Sequence, residues 1–150
     1  MLDMTYTPEE ERYMRLALEE AEQAYEEGEI PIGAVVVCAG RVIARAHNSV
    51  ERLGDPTAHA ELLAITSATE ALGGKYLQGC TLYVTIEPCT MCAGALFWSR
   101  VERIVYGAGE PKFGYLLHAP KLFPRGVRLD RGLLEDEARA LMQRFFQSRR

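Results

Sequence analysis

Thr81-Leu82-Tyr83-Val84-Thr85-Ile86-Glu87-Pro88-Cys89-Thr90-Met91-Cys92 is the stretch of this 150-residue chain on which the fold turns. Its first six residues are β-branched, aromatic or aliphatic and read as a strand over 81–86. A short helix is expected over 90–98, followed by a strand over 103–106. Strand, helix and strand in that order make the two strands parallel, joined by a right-handed crossover.

Upstream, residues 32–38 and 41–47 are two β-rich runs separated by Ala39 and Gly40, the length of a tight hairpin. Thr7, Pro8 and Glu10 form a helix-start signature, and apolar residues at near-helical spacing extend that helix to about Tyr25 before Gly28. A loop rich in turn formers (Asn48, Ser49, Gly54, Asp55, Pro56) precedes a helix carrying Leu62, Leu63, Ile65 and Ala68. After Gly107 repeated Gly and Pro point to a loop with at most a short helix, then a strand over 127–129 and a helix over 133–147. The sum is a three-layer α/β/α domain, a mixed five-stranded sheet with helices on both faces.

A single domain over 1–150 fits the length, and such a domain buries roughly two-thirds of the surface its unfolded chain exposes. The composition, 48% hydrophobic and 25% charged, is near the globular average. No window approaches the roughly 20 apolar residues of a membrane span, and the N-terminus is acidic. No membrane partner and a reducing cytoplasm are therefore expected. Charge is uneven: residues 1–29 carry 10 acidic against 2 basic side chains, and residues 119–150 carry 4 against 8. The basic end is either a solvated helix face or a surface for a polyanion.

The chemistry is concentrated in His59-Ala60-Glu61 and Pro88-Cys89-Thr90-Met91-Cys92. One imidazole and two thiolates, from His59, Cys89 and Cys92, can hold one zinc ion and leave a tetrahedral position open for water, whereas structural sites close with four protein ligands. Both ligand groups fall at expected helix starts, where partial positive charge favours thiolates. Cys89 and Cys92 are nearly one helical turn apart. Glu61 need not bind the metal and is placed to act as general base and then general acid. A Cys-x-x-Cys pair alone is common, but joined to H-x-E and the preceding proline it matches the signature of zinc nucleobase deaminases. Cys38 and Cys80 read as buried small hydrophobes, and His47 and His118 as structural or surface residues. Leu96, Phe97 and Trp98 read as core or as a subunit contact.

From about Tyr13 through Ala108, and again from Gly126 onward, the chain resembles the bacterial tRNA-specific adenosine deaminases of the cytidine deaminase-like superfamily. The likeness rests on Glu29-Ile30-Pro31-Ile32-Gly33-Ala34-Val35, on Asp55 through Glu61, on Thr81 through Ala95, and on Phe145-Phe146 followed by arginines. It implies hydrolysis of the anticodon wobble adenosine of a tRNA to inosine by a homodimer with the helices near the metal at its interface. It also implies substrate contacts at Ile30, Asn48, Ala60, Glu87 and Pro88, with Ile30 packing on a flipped base, Asn48 bonding to it, and the C-terminal arginines near RNA. One segment departs from the family: Lys112-Phe113-Gly114-Tyr115-Leu116-Leu117 is several residues shorter than usual, so Phe113 and Tyr115 either stack on a base or fill the space. The competing readings are a deaminase of free guanine, cytosine or nucleosides, and a non-catalytic RNA-binding module with structural zinc. The second has no use for Glu61.

Overall fold

The computed structural model describes residues 6–124 and 126–149. Helix α1 (Pro8–Glu26) starts in a capping box. The Glu10 amide donates to Thr7 Oγ1 at 3.0 Å and the Thr7 amide donates to Glu10 Oε1 at 2.8 Å. Two amides that a helix start leaves unpaired are thereby satisfied. Glu10 also pairs with Arg103, whose Nε donates to Asp130 at 2.8 Å, so the same residue ties the helix to the far side of the sheet.

Strands β1 (Gly33–Cys38) and β2 (Arg41–His47) form the expected hairpin. Ala39 and Gly40 both adopt positive φ, 52° and 75°, the backbone that lets a two-residue turn follow strand twist. Then come α2 (Val50–Leu53), α3 (Ala60–Leu72), β3 (Cys80–Ile86), α4 (Thr90–Trp98), β4 (Arg103–Ala108), α5 (Tyr115–His118), β5 (Arg128–Arg131) and α6 (Glu135–Gln147). The short α2 lies in a segment expected to be loop. The last helix starts two residues later than expected because Leu134, in the left-handed region at φ 53°, occupies its N-cap.

The sheet order is β2-β1-β3-β4-β5. Strand β1 is antiparallel to β2 and β3, and the β3–β4 and β4–β5 pairs are parallel. Ala34, Val36, Leu82, Val84, Ile104 and Tyr106 face one helix layer, packing with Ala60, Ala64 and Ala68 of α3 and Leu96 of α4. Their neighbours Val35, Val37, Tyr83 and Val105 face Tyr13, Met14 and Ala17 of α1. Ala138 of α6 joins Leu18 of α1 over Ile86 and Ala108. Burial on both faces explains why β1 and β3 read as nearly unbroken apolar runs. Among the described residues no helix is long and apolar enough to cross a membrane.

Gly33 sets how closely α1 approaches. A Cβ there would lie 2.0 Å from the Ala17 carbonyl oxygen and 2.6 Å from the Ala21 nitrogen. Both are helix backbone atoms, which cannot step aside as a flexible side chain can. Gly33→Ala is expected to lower stability by about 3 kcal/mol, the upper end of overpacking costs, read as a lower urea midpoint. An unchanged midpoint would show that α1 yields without cost.

Candidate active site

The site lies where β3 and β4 deliver the chain, in the crevice beyond their carboxyl ends. His59 is the N-cap of α3 and Cys89 the N-cap of α4, both with extended backbone and neither making a side-chain capping bond. Their side chains are thus left to face each other. His59 Nδ1 lies 3.7 Å from Cys89 Sγ and 3.5 Å from Cys92 Sγ, and the three ligand atoms fall within 4.8 Å of one another. Zinc–sulfur bonds of about 2.3 Å and zinc–nitrogen bonds of about 2.0 Å imply tetrahedral edges of about 3.5–3.8 Å. The triangle therefore fits zinc, and its nitrogen and sulfur donors suit that ion.

Glu61, in the first turn of α3, is 3% exposed. Its Oε1 is buried without a hydrogen-bond partner among the described residues. Leaving such an atom unpaired costs about 1–3 kcal/mol, and a donor supplied at the site would offset that cost. Burial pushes the Glu61 carboxyl up to about 7. The Cys89 thiol is lowered to about 4, first by its hydrogen bond with Cys92 and then by His59. Cys92 is raised by the same bond and by burial, and His59 is raised by its contact with Cys89.

Asn48 is buried beside this group. Its Oδ1 accepts the Ala60 backbone amide at 2.8 Å, and its backbone amide donates to the Ile32 carbonyl at 3.1 Å. The occupied oxygen leaves the Nδ2 donor as the side chain's remaining polar group. The Ala60 amide hydrogen is thus engaged by Asn48 within the chain. Ile30 presents an apolar side chain that is 40% exposed. Glu29 was not foreseen. Fully buried, it accepts the Glu51 and Arg52 amides at 2.9 and 2.8 Å and caps α2, the helix that follows Asn48.

Glu87 and Pro88, expected at the substrate, also make hydrogen bonds within the chain. The Glu87 carboxylate accepts the amides of Glu110 and Leu116, both at 3.0 Å, and the Pro88 carbonyl accepts the Tyr115 amide at 3.0 Å. A Cβ on Gly114 would lie 2.2 Å from Glu87 Oε2, so this clip requires glycine. The short loop after β4 is thereby fastened to the segment carrying Cys89. Tyr115 is buried edge-on against Phe123 and is no stacking face, whereas Phe113 is 67% exposed. Glu87→Ala should speed amide exchange at Glu110 and Leu116 roughly 10-fold, about the worth of one such bond. Unchanged protection in a hydrogen-exchange experiment would refute the clip.

The other candidates lie outside the site. His47 sits between Glu20 and Glu27 at 2.8 and 2.9 Å, and His118 meets the Lys112 carbonyl at 2.7 Å. Cys80 is buried and Cys38 half-buried. Leu96 is core, while Trp98 is 76% exposed. Of the terminal arginines, Arg149 donates to the Gly28 carbonyl at 2.8 Å and lies over the Phe145 ring, and Arg150 is outside the described residues.

Comparison with known proteins agrees with this geometry. The cytidine and deoxycytidylate deaminase zinc-binding region matches residues 7–108. The tRNA-specific adenosine deaminase of Aquifex aeolicus is 47% identical over 146 residues, 93% of this chain and 95% of that one. A solved structure from work on A-to-I editing by tRNA:A34 deaminases superposes with a TM-score of 0.81 at 46% identity, covering 87% of this chain and 98% of that one. A guanine deaminase from Nitrosomonas europaea superposes at 0.78 with 28% identity, covering 95% and 86%. The zinc-ligand triangle, the buried acid beside it and these likenesses together show that the chain belongs to the cytidine and deoxycytidylate deaminase zinc-binding family, among the tRNA-specific adenosine deaminases.

Proposed function

We propose that this chain, acting as one domain, hydrolyses the wobble adenosine of a tRNA anticodon loop to inosine, with water consumed and ammonia released. The observation that carries the reading is the His59, Cys89 and Cys92 triangle with Glu61 buried beside it, its Oε1 without a hydrogen-bond partner among the described residues. His59, Cys89 and Cys92 would hold one zinc ion, which when bound supplies the Lewis acidity that makes water nucleophilic near neutral pH. Glu61 takes one proton of the attacking water and delivers it to a ring nitrogen, then carries the second, from the hydroxyl now bonded to the ring carbon, to the amino group as its C–N bond breaks and ammonia departs. Its burial keeps that proton from exchanging with bulk solvent. Asn48, held by Ala60, directs a donor at the base, and Ile30 packs against it. Glu87 and Pro88 act at one remove by holding the 109–117 loop against the site. An unpaired loop base costs only a few kcal/mol to unstack and flip.

The working protein is a homodimer in the cytoplasm with no membrane partner. Met91, Phe97 and Trp98 on α4 are 38%, 36% and 76% exposed, large apolar groups on the ligand-bearing helix that water would otherwise face. Sedimentation equilibrium tests the dimer. The substrate is tested by incubating the protein with an anticodon stem-loop and, separately, with free bases and nucleosides, and looking for inosine by mass spectrometry. Conversion confined to the free compounds would overturn the tRNA reading.

A further inference from the structure

Away from the zinc-ligand triangle, two more free thiols face each other across the sheet. Cys38 and Cys80 are register partners at the end of the antiparallel β1–β3 ladder. The Cys80 carbonyl accepts the Glu102 amide at 3.1 Å, on the side of β4. A strand residue's amide and carbonyl point the same way, so Cys80 does not bond to Cys38 and the two form a non-hydrogen-bonded pair. Such pairs hold their Cα atoms about 4.5 Å apart, within the roughly 4.4–6.8 Å that a disulfide spans. Both side chains lie on the α3 side of the sheet, Cys80 inside the core cluster and Cys38 packed against it, and their thiols donate to the adjacent Gln78 and Gly79 carbonyls at 3.8 and 3.9 Å.

We propose that Cys38 and Cys80 form a reversible disulfide site, oxidised by exchange with a small-molecule disulfide of the glutathione type. Cys38 reacts first, being half-exposed beside the Ala39-Gly40 turn. Its thiolate attacks one sulfur of the oxidised reagent, forming a mixed disulfide and releasing one reduced thiol. Cys80 then gives up its proton and attacks the Cys38 sulfur, expelling the second reduced thiol. The protein loses two hydrogens and two electrons, and the reagent gains both. Burial pushes the Cys80 thiol up to about 12, which makes this second step slow at neutral pH and keeps the pair reduced while reductant is plentiful. The bond encloses β2, α2 and α3, including His59 and Glu61, yet lies at the opposite ends of β1 and β3 from the zinc ligands. It constrains the unfolded chain without entering the site.

The test treats zinc-loaded protein with oxidised glutathione, followed by intact mass, non-reducing peptide mapping, zinc content and thermal melting. The expected product has lost two hydrogen masses, links the Cys38 and Cys80 peptides, retains zinc and melts on the order of 5–10 °C higher. Dithiothreitol reverses all of this except the retained zinc. Cys38→Ser and Cys38→Ala, at a half-exposed position, should show neither the mass loss nor the shift. A glutathione adduct on Cys38 that does not resolve into the two-hydrogen product when the pH is raised to about 9, where more of the Cys80 thiol is ionised, or no reaction at Cys38, would overturn the proposal. So would the same two-hydrogen loss in Cys38→Ser, which would assign the bond to Cys89 and Cys92.

Discussion

Glu61→Gln should keep zinc and fold while losing at least about 100-fold of deaminase activity, the usual minimum for a positioned general acid–base. The amide has the shape of the carboxylate but neither accepts a proton from water nor returns one to the base. The structure adds an expectation about stability. Oε1 is buried without a partner among the described residues, so exchanging a buried carboxylate for a neutral group removes a cost and leaves the melting temperature unchanged or higher. Single-turnover deamination of the stem-loop, zinc analysis and a thermal melt are read on the same sample. Normal turnover would remove Glu61 from the reaction, and joint loss of zinc and activity would make it a ligand instead.

The parts legible in the sequence were those with a periodic or spaced signal. Residues 81–98 declared a strand and a helix start because β-branched residues give way to the Pro88-Cys89 boundary, and observed α4 covers the expected 90–98. The metal triangle was legible because ligand spacing reflects helix geometry. What escaped depends on carboxylates reaching backbone amides far along the chain. Glu29 caps a helix 22 residues on, and Glu87 clips amides 23 and 29 residues on. No local pattern encodes such pairings. Tyr115 and Phe113 share an aromatic character that says nothing of which one turns inward. Counting charge was also insufficient at the C-terminal end: Arg139 faces Glu135 and Asp136, and Arg128 faces Asp130. Two of the eight basic side chains counted there are thus paired with acids close by in sequence.

Cys92→Ser should abolish both metal and activity, and the reason separates it from Glu61→Gln. Cys92 is fully buried in the first turn of α4, with its sulfur 3.5 Å from His59 Nδ1. A serine hydroxyl there has a shorter reach and does not ionise to give the anionic donor that zinc takes from cysteine. Losing a group that only hydrogen-bonds to a metal ligand typically lowers metal affinity about 10–100-fold, and loss of a direct ligand should exceed that, so dialysed protein should retain almost no zinc. The consequence extends to the fold, because the ligands tie the N-terminus of α3 to that of α4 and metal affinity is spent on holding them together. The variant should therefore melt lower than wild type, as should wild type stripped by a chelator, and added zinc should restore only the wild type. If Cys92→Ser kept a full complement of zinc, its sulfur would not be a ligand. The neighbouring Glu61 would then be the group to examine as the third donor, and its proton-carrying role would have to be withdrawn.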